Sequence, residues 1–309
     1  MLSYQVNRSI EIEKTQSEII NYLKDFTRWP EWSPWIILEP DCELTYSDEQ
    51  GVVGAGYQWN GKRIGTGAMV LESTQEHRLD MELHYFRPLT THAKVTLIVT
   101  PSQEGCTVEW LMQSRVPWFL FFLKNVFKSM TEMDYDRGLR MLKSQLEKGQ
   151  VLSLLTDLGS RKQNEVSYIG LSGAGTISDL GPMMQSHVAR LYEMAEQENL
   201  SVTGELFCYY LSMDMKQGYF EFITCLPVKT GVVATGEFVA GTIPESETYV
   251  IEHKGEYQFL GNAWSYAMNL TRYNGIKVKT QPLGIERYLD NPSDTDKADL
   301  LTEVILFKK

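Results

Sequence analysis

Leu283-Gly-Ile-Glu-Arg-Tyr-Leu289 decides how the second half of this chain is read. It is short, apolar at alternate positions and opens with glycine, so it predicts a strand. Alternation puts Gly284, Glu286 and Tyr288 on one face, and Ile285, Arg287 and Leu289 on the other. Glu286-Arg-Tyr-Leu289 also echoes Cys208-Tyr-Tyr-Leu211, about 78 residues earlier. Around each copy the same order recurs. In the first, Val166–Leu171 reads as a strand, followed by a helix with Met184, Val188, Leu191 and Ala195 at spacings of 4, 3 and 4. Pro182 suits its first turn. Strands Leu206–Leu211 and Tyr219–Leu226 follow. In the second copy, strand Thr248–Glu252 precedes a helix carrying Tyr257, Leu260, Trp264 and Met268, then strands Leu283–Leu289 and Val304–Phe307. Two β-α-β-β units that share one sheet, with two helices behind it, follow from this pattern. A groove is expected at their pseudo-twofold seam. Gln150–Asn164 ends in polar residues and reads as a linker.

Upstream of that linker the pattern changes. Ser3–Ile12 reads as a strand. Thr15-Gln-Ser-Glu18 is a capping box, in which each side chain satisfies a free N–H at the helix start. Ile19, Leu23 and Phe26 follow at helical spacing, and Trp29-Pro30 ends the run. Tyr57-Gln-Trp59 runs into Asn60-Gly61, a dipeptide that favours a type I′ hairpin. Leu79, Met81, Leu83 and Tyr85 alternate with Arg78, Asp80, Glu82 and His84; Val95, Leu97 and Val99 alternate with Lys94, Thr96 and Ile98; and Val108, Trp110 and Met112 alternate with Thr107, Glu109 and Leu111. Such alternation means an antiparallel sheet covered on one side. The expected cover is a final helix bearing Tyr135, Leu139, Leu142 and Leu146. Six of the seven tryptophans lie in this half, as core or as the lining of a cavity between sheet and helix.

Composition narrows the function. The 309 residues are 43% hydrophobic and 22% charged, ordinary for a globular chain of two domains. Residues 1–150 hold 16 basic and 20 acidic side chains, and the remainder 13 and 20, so the halves carry −4 and −7. Neither offers the cationic face that nucleic acid or an anionic membrane requires. Val116–Phe127 is the most apolar stretch, but it is short and broken by Lys124, so no membrane insertion is expected. The opening residues Met1–Lys14 lack the apolar run of a secretory leader. Cys42, Cys106, Cys208 and Cys225 form no CxxC pair. A cytoplasmic protein with free thiols is the expectation. His77, His84 and His92 lack HxxxH or HExxH spacing, so no metal is expected. Gly170-x-x-Gly173-x-Gly175 has the wrong order for a dinucleotide loop, and no nucleotide cofactor is implied.

The first half resembles the polyketide-cyclase/START-like (SRPBCC) superfamily, whose fold is the helix grip. Thr15-x-x-Glu18, Asp25-Phe-Thr-Arg-Trp29, Trp32-Ser-Pro-Trp35, Gly54-x-Gly56-Tyr-x-Trp59, Gly65-Thr-Gly67 and Asp134-Tyr-Asp-Arg-Gly138-Leu-x-Met-Leu-Lys143 carry the likeness, over residues 1–150. The second half, residues 163–309, resembles the GyrI-like (AraC-type) effector-binding domain. There the likeness rests on His253-Lys-Gly255-x-Tyr257, Glu286-x-Tyr288-Leu289-x-Asn-Pro292 and Thr302-Glu303-Val304. It departs from the family at Glu303-Val-Ile305-Leu-Phe307, where the family often has Glu-x-Tyr-x-Pro.

These resemblances imply an α+β chain: a START-like antiparallel sheet around a long helix, then a duplicated effector-binding domain without a DNA-binding domain of its own. They also imply that Glu286 meets a lipophilic cation, with Glu303 on the neighbouring strand as a second acid. Tyr288, Tyr257, Trp264 and Tyr210 are the expected aromatic walls; Tyr209, Tyr219 and Phe222 are further candidates. His253 reads as a turn residue beside Gly255. A carboxylate on such a wall needs a partner, because desolvation disfavours its charged form. A small apolar or cationic molecule, bound for sensing or detoxification, is the expected ligand. The alternative implied by one branch of the family is hydrolysis of electrophiles, with Glu286 as general base.

Overall fold

The computed structural model describes residues 2–116, 118–214 and 218–309. The chain divides into two units, Met1–Val151 and Leu152–Lys309. The apolar stretch Val116–Phe127 includes Pro117, which lies outside the described residues. Among those residues no helix is long and apolar enough to cross a membrane.

In the first unit, strands β1 (Leu2–Ile12), β2 (Glu43–Tyr46), β3 (Gly56–Asn60), β4 (Thr66–Gln75), β5 (Arg78–Arg87), β6 (Thr91–Pro101) and β7 (Cys106–Val116) form one antiparallel sheet. Their order is β1-β7-β6-β5-β4-β3-β2. Helix α1 (Gln16–Leu23) opens with the expected Thr15–Glu18 capping box. Phe26 falls outside it, in a 3₁₀ turn over Phe26–Glu31 capped by Asp25. The alternating residues of β5, β6 and β7 turn their apolar members inward. Helix α2 (Lys124–Lys148) buries Tyr135, Leu139 and Leu142.

Gly138 lets α2 approach the sheet. A Cβ there would stand 2.8 Å from the Trp110 ring and 3.1 Å from Pro34. Trp110 stacks on Tyr135 at 3.8 Å between centroids, and Trp29, Trp32 and Trp35 meet it edge-on at 6.2, 5.2 and 5.9 Å. Trp29, Trp32 and Trp110 are buried core, and Trp35 packs at their edge half-buried.

The Asn60-Gly61 hairpin is not a two-residue turn. The loop runs to Gly65, whose carbonyl accepts the Gly61 N–H at 2.9 Å, and the positive φ falls at Gly65 (+79°). The longer loop is held from a distant segment: the Glu39 carboxylate accepts N–H groups of Lys62, Arg63 and Ile64 at 2.7, 2.8 and 3.0 Å. Glu39 is only 3% exposed. Glu39→Ala therefore orphans three backbone donors, and should lower stability by about 1–3 kcal/mol, read as an earlier urea midpoint.

The second unit has strands β8 (Ser153–Gln163), β9 (Val166–Thr176), β10 (Phe207–Asp214), β11 (Tyr219–Pro227), β12 (Val239–Ile243), β13 (Ser246–Gly255), β14 (Gly284–Tyr288) and β15 (Leu301–Phe307). Helix α3 (Ile177–Gln197) follows β9, and α4 (Leu260–Tyr273) follows β13. The sheet order is β12-β9-β11-β10-β14-β15-β13-β8. This is the predicted duplication with two added strands, β8 and β12. The polar stretch read as a linker is strand β8, paired along its length with β13. Its charges, Asp157, Arg161 and Lys162, suit an edge strand, where they discourage pairing with other chains. Each repeat is therefore β-β-α-β-β, and its leading strand pairs with the other repeat: β8 on β13, β12 on β9.

Two helix details differ from expectation. Helix α3 starts at Ile177, because Thr176 and Asp179 form a capping box, so Pro182 sits in the second turn. Tyr257 lies in a 3₁₀ turn before α4. The turn shifts the periodicity counted from Tyr257, so Met268 is 47% exposed while Ala263, Ala267 and Leu270 face the sheet.

Candidate functional site

The seam between the repeats is the β10–β14 pair, with Cys208 opposite Glu286 and Tyr210 opposite Gly284. The repeat relates Cys208 to Glu286 and Tyr210 to Tyr288. The pseudo-twofold axis therefore passes between Cys208 and Glu286, with one tyrosine flanking it on each strand. Both tyrosines serve the single acid. Tyr210 and Tyr288 donate their hydroxyls to Glu286 Oε2 at 3.0 and 2.8 Å, and Trp264 of α4 donates Nε1–H to Oε1 at 2.6 Å. Gly284 makes room for that indole, since a Cβ there would stand 3.0 Å from the Trp264 ring.

Glu286 is 5% exposed. Burial raises its carboxyl pKa, and the hydrogen bonds from Trp264, Tyr288 and Tyr210 oppose that rise. The two phenols are themselves pushed well up, chiefly by burial, which keeps them protonated and donating. The Cys208 thiol is raised by burial and then by Glu286, so it is a neutral neighbour. The three donors fill three of the roughly four lone-pair positions of a carboxylate. All three are neutral.

Tyr257 completes the wall. Its ring meets Tyr288 edge-on at 5.4 Å, and its buried hydroxyl has no hydrogen-bond partner among the described residues. Burial, then the charges of Asp290 and Glu286, push its pKa up to about 12. On the far side Tyr210 touches Trp264 at 5.3 Å and Phe222 at 6.2 Å. Five of the six expected site residues thus converge: Glu286, Tyr288, Tyr257, Trp264 and Tyr210.

Glu303 does not join them. It sits opposite Arg287, one residue out of step with Glu286, which faces Val304. That offset sends its side chain through the sheet, where it pairs with Arg287 at 3.1 Å and Arg161 at 3.4 Å. Tyr209 also lies on that other face, against Tyr168 and Phe307. Tyr219 is exposed. His253 is no turn residue but a fully buried member of β13. Its Nε2 lies 3.1 Å from Ser153 Oγ, and burial lowers its pKa to about 4, keeping it neutral.

Cys208 and Gly284 also belong to the site, although neither is among its expected residues. The signal for Cys208 was present in its alignment with Glu286 across the repeat. A separate hollow of ≈220 Å³ beside β9 and β12, lined by Tyr168, Lys229 and Gly241 among others, shares no residue with the Glu286 cluster.

Two family descriptions match the chain. Residues 3–147 match "Polyketide cyclase / dehydrase and lipid transport", and residues 161–306 match "GyrI-like small molecule binding domain". Among solved structures the chain is similar to the EcmrR C-terminal domain, at 20% identity over 52% of this chain and 99% of that one, with a TM-score of 0.42. It is also similar to EcmrR in its DNA complex, at 19% identity over 61% and 69% of the two chains, TM-score 0.42. A hydrolase from Listeria innocua is similar at 15% identity over 49% and 92%, TM-score 0.37. No curated protein matches the chain.

Proposed function

We propose that this chain, which joins a polyketide cyclase / dehydrase and lipid transport domain to a GyrI-like small molecule binding domain, captures a lipophilic cation in its second unit. One observation carries the reading: a carboxylate buried at the repeat seam whose hydrogen-bond partners are three neutral aromatic donors. Those donors solvate the charge without cancelling it. A cation completes the neutralisation, and each ring face adds roughly 0.5–2 kcal/mol of cation–π attraction. Capture of this kind suits sensing or detoxification. General-base hydrolysis by Glu286 has less support, since both of its oxygens already accept hydrogen bonds from a tight aromatic enclosure.

The test is calorimetry with tetraphenylphosphonium against neutral triphenylphosphine oxide. Saturable binding of the cation, with the neutral compound much weaker, is expected; equal affinities would remove the carboxylate from the account. The pH dependence has a definite sign. The protonated acid must release its proton to meet a cation. Because burial raises the Glu286 pKa, affinity should be full above the raised value. Below it, affinity should fall by about tenfold per pH unit.

A further inference from the structure

The outer face of the β5–β6 hairpin carries a cluster unconnected with Glu286. His84 and His92 are directly opposite across the two strands, and Glu82 stands two residues before His84 on the same face. The inward neighbours Leu83 and Ala93 are buried, which fixes the outward direction of the two imidazoles. His84 Nδ1 and His92 Nδ1 lie 2.7 Å apart, with the rings at 90°. On the other side of its ring, His84 Nε2 is 3.5 Å from Glu82 Oε2. One ligand atom from each of the three residues falls within 4.8 Å of the others.

We propose that His84 and His92 bind a divalent transition-metal ion through their Nδ1 atoms, with Glu82 as the positioning residue. A carboxylate beside Nε2 favours the tautomer that carries the proton there. That leaves the Nδ1 lone pair of His84 aimed at His92. A carboxylate behind a ligating histidine is the usual support of a metal-bound imidazole. Metal–nitrogen bonds of 2.0–2.1 Å in a tetrahedral set need the two nitrogens about 3.3 Å apart. A small opening of the ring pair from 2.7 Å supplies that distance. Two imidazoles select Zn²⁺, Ni²⁺ or Cu²⁺ over Mg²⁺ and Ca²⁺, which prefer all-oxygen sites. Water completes the coordination. The ion would clip β5 to β6 next to their connecting turn.

The experiment is calorimetric titration of the full, untagged, chelator-treated chain with Zn²⁺. One saturable site is expected. His92→Ala, at an exposed position that leaves the core intact, should abolish it, while Glu82→Gln should weaken it by about 10–100-fold. His77→Ala should leave it unchanged. At a hundredfold excess over Kd, Zn²⁺ should raise the melting temperature of the wild type by about 5–10 °C, and that of His92→Ala not at all. No saturable heat in the wild type, an undiminished site in His92→Ala, or equal binding of Mg²⁺ would each overturn the assignment.

Discussion

Glu286→Gln should weaken binding of a lipophilic cation by at least about thirtyfold, because removing one member of a desolvated charge pair costs about 2–5 kcal/mol. The substitution keeps the shape of the side chain. Its amide oxygen can still accept from Trp264 Nε1, and the two phenol rotors can turn to accept from its NH₂. The fold should therefore survive, and its stability should show why the acid is unusual. Burial raises the Glu286 pKa in the folded state, so the native chain holds this proton more tightly than the unfolded chain. The stabilisation from that proton is fully present below the unfolded value and is lost as pH climbs through the raised one. Glutamine has no such titration. Wild type and variant should be nearly equal in acid, and the variant should gain as pH rises. Denaturation midpoints across a pH series, read beside cation calorimetry, check both statements. A variant that binds the cation as well as the wild type would place the recognition elsewhere.

Trp110→Ala should cost about 3–5 kcal/mol, at the upper end for a single core substitution. Trp110 is 1% exposed and central: Tyr135 stacks on one face and three further indoles meet its edges. Gly138 brings α2 against this ring. Truncation would leave a hole walled by rigid rings attached to two separate segments, residues 29–35 and α2, which cannot collapse together. Urea unfolding followed by circular dichroism gives the number. A loss below about 1 kcal/mol would mean that the helix is held mainly by its other contacts.

Much of the fold was legible because it depends on local periodicity. The alternation in β5, β6 and β7, the Thr15–Glu18 cap and the repeat of Cys208–Leu211 in Glu286–Leu289 each declare themselves within a few residues. Alternation also placed Glu286 and Tyr288 on one face of β14. Features that depend on which strand lies beside which were not legible. Glu303 looked like a second acid because β15 neighbours β14, but a one-residue difference in register moves a side chain to the opposite face. The partnership of His84 with His92 is set by a hairpin, so no helical spacing announces it. Strand β8 was hidden for another reason: an exposed edge strand lacks the apolar signal by which strands are recognised.

The exchange of leading strands between the repeats limits what one repeat can be. The segment before β9 finishes the far side of the sheet, and the segment before β13 finishes the near side. Each half is clasped by an arm from the other, so neither owns a complete set of hydrogen-bonded neighbours. A lone half would keep an arm reaching outward and a bare flank waiting for one. The smallest self-sufficient form of this architecture is thus two halves with arms interlocked, in one chain as here or in two.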